Sequence, residues 1–144
     1  MPYWKLNYHL VWSTRQRVPV LNGEMGRVAK ASILASATKL GVRVHSISVQ
    51  PDHVHLAFAA PPKWSVADIA QRVKGSSSHH LGKEFGEAWM GWQAEYGVVG
   101  FGEQSLGRVI RYVANQEEHH REDRLWLEME RVPDELTGET VVIR

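Results

Sequence analysis

The stretch Asp52-His53-Val54-His55-Leu56-Ala57-Phe58-Ala59 divides into two sets of side chains. On a β-strand successive side chains alternate between faces. Val54, Leu56 and Phe58 therefore fall on one side, and His53, His55, Ala57 and Ala59 on the other. The apolar side can be buried against helices, which leaves two imidazoles on a face with a different task. Pro51-Asp52 turns the chain into this strand and Pro61-Pro62 ends it. Upstream, Val42, Val44, Ser46 and Ser48 alternate with Arg43, His45, Ile47 and Val49, so the two segments form a predicted hairpin.

Outward from this hairpin the other elements follow. Tyr3 to Trp12 is rich in aromatic and β-branched residues and reads as a strand. Asn22-Gly23 separates it from a helix near Glu24 to Leu40, which Gly41 stops. Ser65 is placed to cap a helix reaching about Leu81, with Val66, Ile69, Ala70 and Val73 at helical spacing. Trp89 to Val99 reads as a further strand broken by glycines. After Gly102, Ser105 caps a predicted helix whose apolar stripe is Leu106, Val109, Ile110 and Val113. The order strand, helix, two strands, helix, strand, helix describes an α+β domain with a central, mostly antiparallel sheet flanked by helices.

At 144 residues and 43% hydrophobic the chain has the size of one ordinary domain. No run approaches the roughly 20 apolar residues of a membrane span, and no signal-peptide pattern is present. A soluble, cytoplasmic protein with no membrane partner is expected. The absence of cysteine excludes disulfides and thiolate zinc sites. A formal net charge of +1 conceals an asymmetry. Residues 1–116 hold 13 Lys and Arg against 7 Asp and Glu, while residues 117–144 hold 4 against 9. A basic body suits a polyanionic partner, although a solvated surface of mixed charge produces the same imbalance. Residues 1–120 form the expected functional domain, and 121–144 its acidic C-terminal extension. Thr140-Val141-Val142-Ile143 in that extension is either an added edge strand or a loose tail.

A second chemical motif is Arg111-Tyr112-Val113-Ala114-Asn115-Gln116. On a continuous helix Tyr112 and Gln116 lie about 40° apart, on the flank of the apolar stripe, where both can lean into a cleft beside the sheet. Arg108 and Arg111 on the same helix can meet phosphates. Tyr3 and Tyr8 sit in the first strand and Tyr96 among glycines, so none precedes a polar helical group by four residues. Taken alone, His-x-His is equally a pair of surface strand histidines, and Tyr112 a packing aromatic. His79-His80 and His119-His120 read as solvated helix ends, the latter pair being spare ligands should Gln116 fail. Asp52 either orients a neighbouring imidazole or only makes the turn. Lys74 with Ser76, Ser77 and Ser78 either binds phosphate or caps and turns.

Five segments together are more specific. They are Tyr8-His9-Leu10-Val11-Trp12-Ser13-Thr14 with Arg17, Val18 and Pro19; Pro51 to Leu56; Lys74-Gly75 with Ser77 and Ser78; Trp92 to Gly100; and Tyr112 to Gln116. Their order and spacing resemble the single-tyrosine transposases of the insertion-sequence 200/605 group, members of the HUH nuclease superfamily. The resemblance implies an HUH endonuclease fold of ferredoxin-like or RRM-like form. It also implies a DNA transposase that cuts and rejoins single-stranded DNA at hairpin-marked element ends, leaving a 5′-phosphotyrosine and a free 3′-hydroxyl. Similar proteins use magnesium or manganese and are homodimers whose sheets join edge to edge, often with the tyrosine helix of one subunit completing the other's site. Carried over by position, His53 and His55 match the paired metal ligands, Gln116 the third ligand and Tyr112 the nucleophile. Imidazole by itself suits zinc, copper or nickel equally, so the choice of metal comes from the resemblance. Two other readings stand beside this one. They are a domesticated relative acting on chromosomal palindromic repeats, and a catalytically silent DNA-hairpin-binding protein.

Overall fold

The computed structural model describes residues 3–122 and 124–144. Strands β1 (Asn7–Ser13), β2 (Arg43–Val49), β3 (His53–Ala59) and β4 (Gly97–Phe101) form one sheet in the order β2-β3-β1-β4, and every neighbouring pair is antiparallel. The expected α+β architecture is present. Helices α1 (Gly23–Lys39) and α2 (Val66–Phe85) cover one face of the sheet. The other face carries α3 (Leu106–Ala114), followed by the short α4 (Gln116–Arg121). No helix among the described residues is long and apolar enough to cross a membrane.

The β1–β3 register sorts the side chains. Leu10 pairs with Leu56 and Trp12 with Val54, and all four are fully buried with Phe58, Ile33 and Ile69 in the core beneath α1 and α2. Each such side chain contributes roughly 1.5–3 kcal/mol of burial free energy. The residues between them point to the opposite face, where His9, Val11 and Ser13 stand beside Ala57, His55 and His53. Ser65 caps α2 as expected, its hydroxyl accepting from the Asp68 amide at 3.0 Å. Gly41, with φ of 72°, ends α1 in a conformation that favours glycine.

Three expectations are corrected. The first strand begins at Asn7, and Tyr3 is left 84% exposed. The segment from Trp89 is not a continuous strand until Gly97: Trp92 makes only an isolated bridge to Thr14, and Trp89 and Trp92 turn inward. The Trp89 and Trp92 indoles donate to Ser78 and Ser77 on α2, each at 3.0 Å. Lys74 donates to the carbonyls of Gln93, Ala94 and Glu95 at 2.8, 3.2 and 3.0 Å, so the Lys74 and serine run pins this loop. Burial lowers the Lys74 ammonium to about 8 despite the nearby Glu95.

The third correction concerns the C-terminal segment, which is neither an edge strand of the main sheet nor loose. Its strands β5 (Arg131–Pro133) and β6 (Thr140–Val142) pair only with each other, and Val132 and Ile143 bury against Val11 on β1. The chain passes so close to β4 that a Cβ on Gly97 would lie 1.8 Å from the Arg131 carbonyl oxygen. Gly97→Ala is therefore expected to cost about 1–3 kcal/mol by overpacking. Urea denaturation measures the loss, and hydrogen exchange should show faster opening at residues 131–143 than in the α1 and α2 core.

Candidate active site

Strand β3 delivers His53 and His55 to the face covered by α3. His53 Nδ1 donates to Asp52 Oδ1 at 2.7 Å, and Arg17 holds the same carboxylate through Nη2 and Nε at 3.1 and 3.3 Å. Asp52 thus orients the imidazole. Burial pushes its carboxyl up, but His53 and Arg17 together outweigh this and leave it below its ordinary value. His55 is fully buried and shares a 2.8 Å hydrogen bond through Nδ1 with His9 Nε2 from β1. Burial lowers the His55 imidazole to about 4 against the pull of Glu130, and it holds His9 well below its ordinary value too.

Tyr112 and Gln116 do not share one continuous helix. Asn115 breaks it, with φ of −108° and ψ of 28°, so that Gln116 opens α4. Both the amide and the side-chain Nδ2 of Asn115 donate to the Arg111 carbonyl, at 3.1 and 3.0 Å, a local bond that competes with helix propagation. Gln116 is nonetheless fully buried, and its Nε2 donates to the Tyr112 carbonyl at 3.2 Å. Tyr112 packs with Ala57, Val109, Val113 and Met129. Its ring stands edge-on to His55 at 6.2 Å and stacks on His119 at 4.7 Å. The phenolic oxygen accepts from the Trp126 amide at 3.0 Å and donates to Glu130 Oε2. Burial, with the carboxylate of Glu130, pushes this phenol well above its ordinary value.

One member of the site, Glu130, had no signal in the sequence, and another, His120, was marked there only as a spare ligand. Glu130 sits in the acidic C-terminal segment, yet it is fully buried against the histidines. Its Oε1 lies 3.1 Å from His55 Nε2, 3.3 Å from His120 Nε2 and 3.9 Å from His53 Nε2. His120, expected as a solvated helix end, is turned inward by α4 until its ring lies 4.8 Å from His53. His79 and His80 are exposed, as expected. Burial raises the Glu130 carboxyl, but bonds from His120, His55 and Tyr112 prevail and leave it far below its ordinary value.

Donor atoms of His53, His55, His120 and Glu130 all lie within 4.8 Å of one another, a group that can hold a metal ion. His53 Nε2 and Gln116 Oε1 are among the buried atoms without a hydrogen-bond partner, and His55 Nε2 faces the Glu130 carboxylate at 3.1 Å. A buried polar atom left unpaired costs about 1–3 kcal/mol, so an unpaired His53 Nε2 within this histidine and carboxylate group fits a cation site. The donors are nitrogen and oxygen, consistent with a divalent ion of hard or borderline character. On the outer side of Tyr112 lies an open pocket of about 530 Å³, lined by Arg108, Arg111, Asn115, His119, Arg124 and Trp126 among others. The Arg108 guanidinium sits 3.8 Å over the Trp126 ring.

An antiparallel sheet that presents His-x-His to a buried tyrosine helix defines the HUH fold class. The family model described as "Transposase IS200 like" matches residues 2–116, and the chain belongs to that family. The ISDra2 transposase TnpA of Deinococcus radiodurans is 29% identical over 119 residues, covering 78% of this chain and 85% of the relative. The transposase for insertion sequence element IS200 of Salmonella typhimurium is 25% identical over 121 residues, covering 83% of this chain and 80% of the relative. A transposase crystal structure from Deinococcus radiodurans R1 superposes with a TM-score of 0.65 at 30% identity, over 80% of this chain and 93% of that one. A REP-associated tyrosine transposase bound to a REP hairpin has the same fold, with a TM-score of 0.65 at 14% identity over 83% of this chain and 72% of that one.

The neutral buried imidazoles imply a definite pH response of the metal-free protein. Folded His9 and His55 titrate below the ordinary 6.5, so the unfolded chain takes up protons first as pH falls. Stability therefore drops from about pH 6.5 downward, by up to about 1.4 kcal/mol per pH unit for each group. Glu130 adds to the loss below its ordinary 4.5, because its folded value is depressed. Urea midpoints in chelator should fall steadily between pH 7 and 4.5, and His55→Ala should flatten the upper part of that slope.

Proposed function

We propose that this transposase cleaves and rejoins single-stranded DNA at hairpin-marked ends through a 5′-phosphotyrosine on Tyr112. A divalent cation, magnesium or manganese, would be held by His53, His55 and Gln116. One observation carries the reading. The hydroxyl of Tyr112 and the Nε2 nitrogens of His53 and His55 face the same buried carboxylate, Glu130. Nucleophile and cation site therefore adjoin within one chain.

The metal, when bound, would neutralise charge on the scissile phosphate. The protein's own groups do the rest. Arg17 and Asp52 hold the His53 ring in one orientation, and His9 does the same for His55. Arg108 and Arg111 border the nucleophile's outer pocket, where they can seat the flanking phosphates. The Tyr112 hydroxyl gives up its proton as its oxygen attacks phosphorus and a phosphorus–tyrosine bond forms. The bond to the 3′ oxygen breaks as that oxygen takes up one proton, so the proton count is unchanged. The phosphotyrosine keeps the energy of the broken linkage, so a 3′-hydroxyl can reverse the step without a nucleotide cofactor. Residues 1–120 carry the known family pattern in this reading, with 121–144 an extension of the same domain. Recognition of a hairpin, as in the REP-bound relative, is part of the proposal for this chain.

Tyr112→Phe removes one oxygen. It should leave hairpin binding intact and abolish the covalent adduct seen on denaturing gels. His53→Ala and His55→Ala should each slow nicking by roughly 10³-fold or more while binding survives, since binding rests on phosphate contacts. Persistence of the adduct in Tyr112→Phe would refute the site. Cleavage by the unaltered protein without any adduct would make activated water the nucleophile, and no cleavage at all would leave a DNA-binding protein.

Moving a DNA segment requires two ends to be held together, and β2 and β4 are open edges of the sheet. A homodimer joined edge to edge is the expected assembly. Sedimentation at micromolar concentration without DNA should show it, and a monomer would contradict it.

A further inference from the structure

The geometry points to Glu130 as a bridging ligand and positioning residue, whose Oε1 joins the proposed cation site of His53, His55 and Gln116, with His120 as a further donor, while its Oε2 holds the Tyr112 hydroxyl. The C-terminal segment then belongs to the active centre. This inference rests on the reading of Tyr112 as nucleophile and extends it to a residue outside the family match, which ends at 116.

The two oxygens of Glu130 face different partners. Oε1 is turned to three imidazole Nε2 atoms at 3.1, 3.3 and 3.9 Å. Oε2 receives the phenol. A group that only restrained the tyrosine would need the second of these contacts and not the first. Among the described residues Glu130 meets three histidines and Tyr112, but no lysine or arginine at ion-pair distance. A fully buried carboxylate without a fixed cation is costly, and a divalent ion between Oε1 and the histidines supplies the missing charge. Carboxylate bonded on one side to a cation and on the other to a phenol also fixes the distance between them. That is what an in-line attack on a metal-held phosphate requires.

The segment is built to hold this carboxylate still. Met129, next to it, is buried in the Tyr112 cluster, and the Trp126 amide donates to the same phenolic oxygen. The Glu130 carbonyl accepts from the Ile143 amide at 2.8 Å, and Val132 and Ile143 bury against Val11 of β1. Arg17 bonds both Asp52, which orients His53, and the Arg144 carbonyl at 3.2 Å, so one guanidinium ties the support of a histidine to the end of the chain.

The test uses the full-length chain, freed of metal and titrated with Mn2+ by calorimetry. Co2+ serves as a spectroscopic probe, and adduct formation is followed on a hairpin-bearing single strand. E130Q keeps the shape of the side chain and removes its charge. It is expected to weaken Mn2+ binding by at least 10–100-fold, to change the visible Co2+ spectrum, and to lose the adduct at low Mn2+ with partial recovery at high Mn2+. Y112F should bind Mn2+ as the unaltered protein does, because it loses only the Oε2 contact. Thermal melts confirm folding. If E130Q does not fold, E130D keeps the charge on a shorter arm, and an altered Co2+ spectrum with reduced adduct is expected from it. Unchanged Mn2+ affinity and Co2+ spectrum in a folded Glu130 variant would overturn the assignment. So would a rise in adduct yield, which would make Glu130 a restraint on Tyr112. If the unaltered protein forms no adduct while E130Q still loses Mn2+ affinity, the cleavage reading fails and the ligand role of Glu130 stands.

Discussion

The antiparallel pairing of β1 with β3 is the constraint from which the rest of the molecule follows. Its register sets Leu10 opposite Leu56 and Trp12 opposite Val54 on one face, and Val11 opposite His55 and Ser13 opposite His53 on the other. A slip of one residue would exchange the two sets, driving imidazoles into the core and exposing leucine and tryptophan. The burial of Leu10, Trp12, Val54, Leu56 and Phe58 under α1 and α2 therefore also places the histidines. Stability and chemistry are decided by the same ladder of hydrogen bonds.

On the chemical face, polar groups are buried at a cost that folding by itself does not recover. His53 Nε2 and Gln116 Oε1 lack partners, and Glu130 is a carboxylate with no fixed positive neighbour among the described residues. A ligand that satisfies such a centre stabilises the fold. The apolar core on the opposite side of the sheet, including Ile33, Ile69 and Leu81, supplies the stability that tolerates this. Within the polar face, orientation comes from short chains of contacts, Arg17 to Asp52 to His53 on one side and His9 to His55 on the other.

The charge asymmetry has a structural counterpart different from a simple basic body and free acidic tail. Glu118 and Glu122 of the acidic stretch pair with Arg124 beside the Tyr112 pocket, Glu135 accepts from the Gln16 amide at 2.8 Å, and Glu130 enters the centre itself. The acidic segment folds back on its own chain. Arg108 and Arg111 remain on the exposed side of α3, bordering the open pocket next to the nucleophile.

Much of this was legible in the sequence wherever one element contained the whole pattern. The alternation of Val54, Leu56 and Phe58 with His53 and His55 assigned both faces of β3, and helical spacing with Ser65 and Gly41 located α2 and the end of α1. The four-residue spacing of Tyr112 and Gln116 marked them for one cleft, although Asn115 breaks the helix between them. Only the tertiary structure could bring in His9, His120 and Glu130, which come from β1, α4 and the C-terminal segment to meet His55 and His53. It also decided that Trp89 and Trp92 pack on α2 instead of extending β4, and that Val132 and Ile143 anchor the chain end on Val11. Periodicity records which side of its own strand or helix a residue occupies. A lone histidine or glutamate carries no such record of the neighbour it will meet, because that contact is set by how separate elements pack.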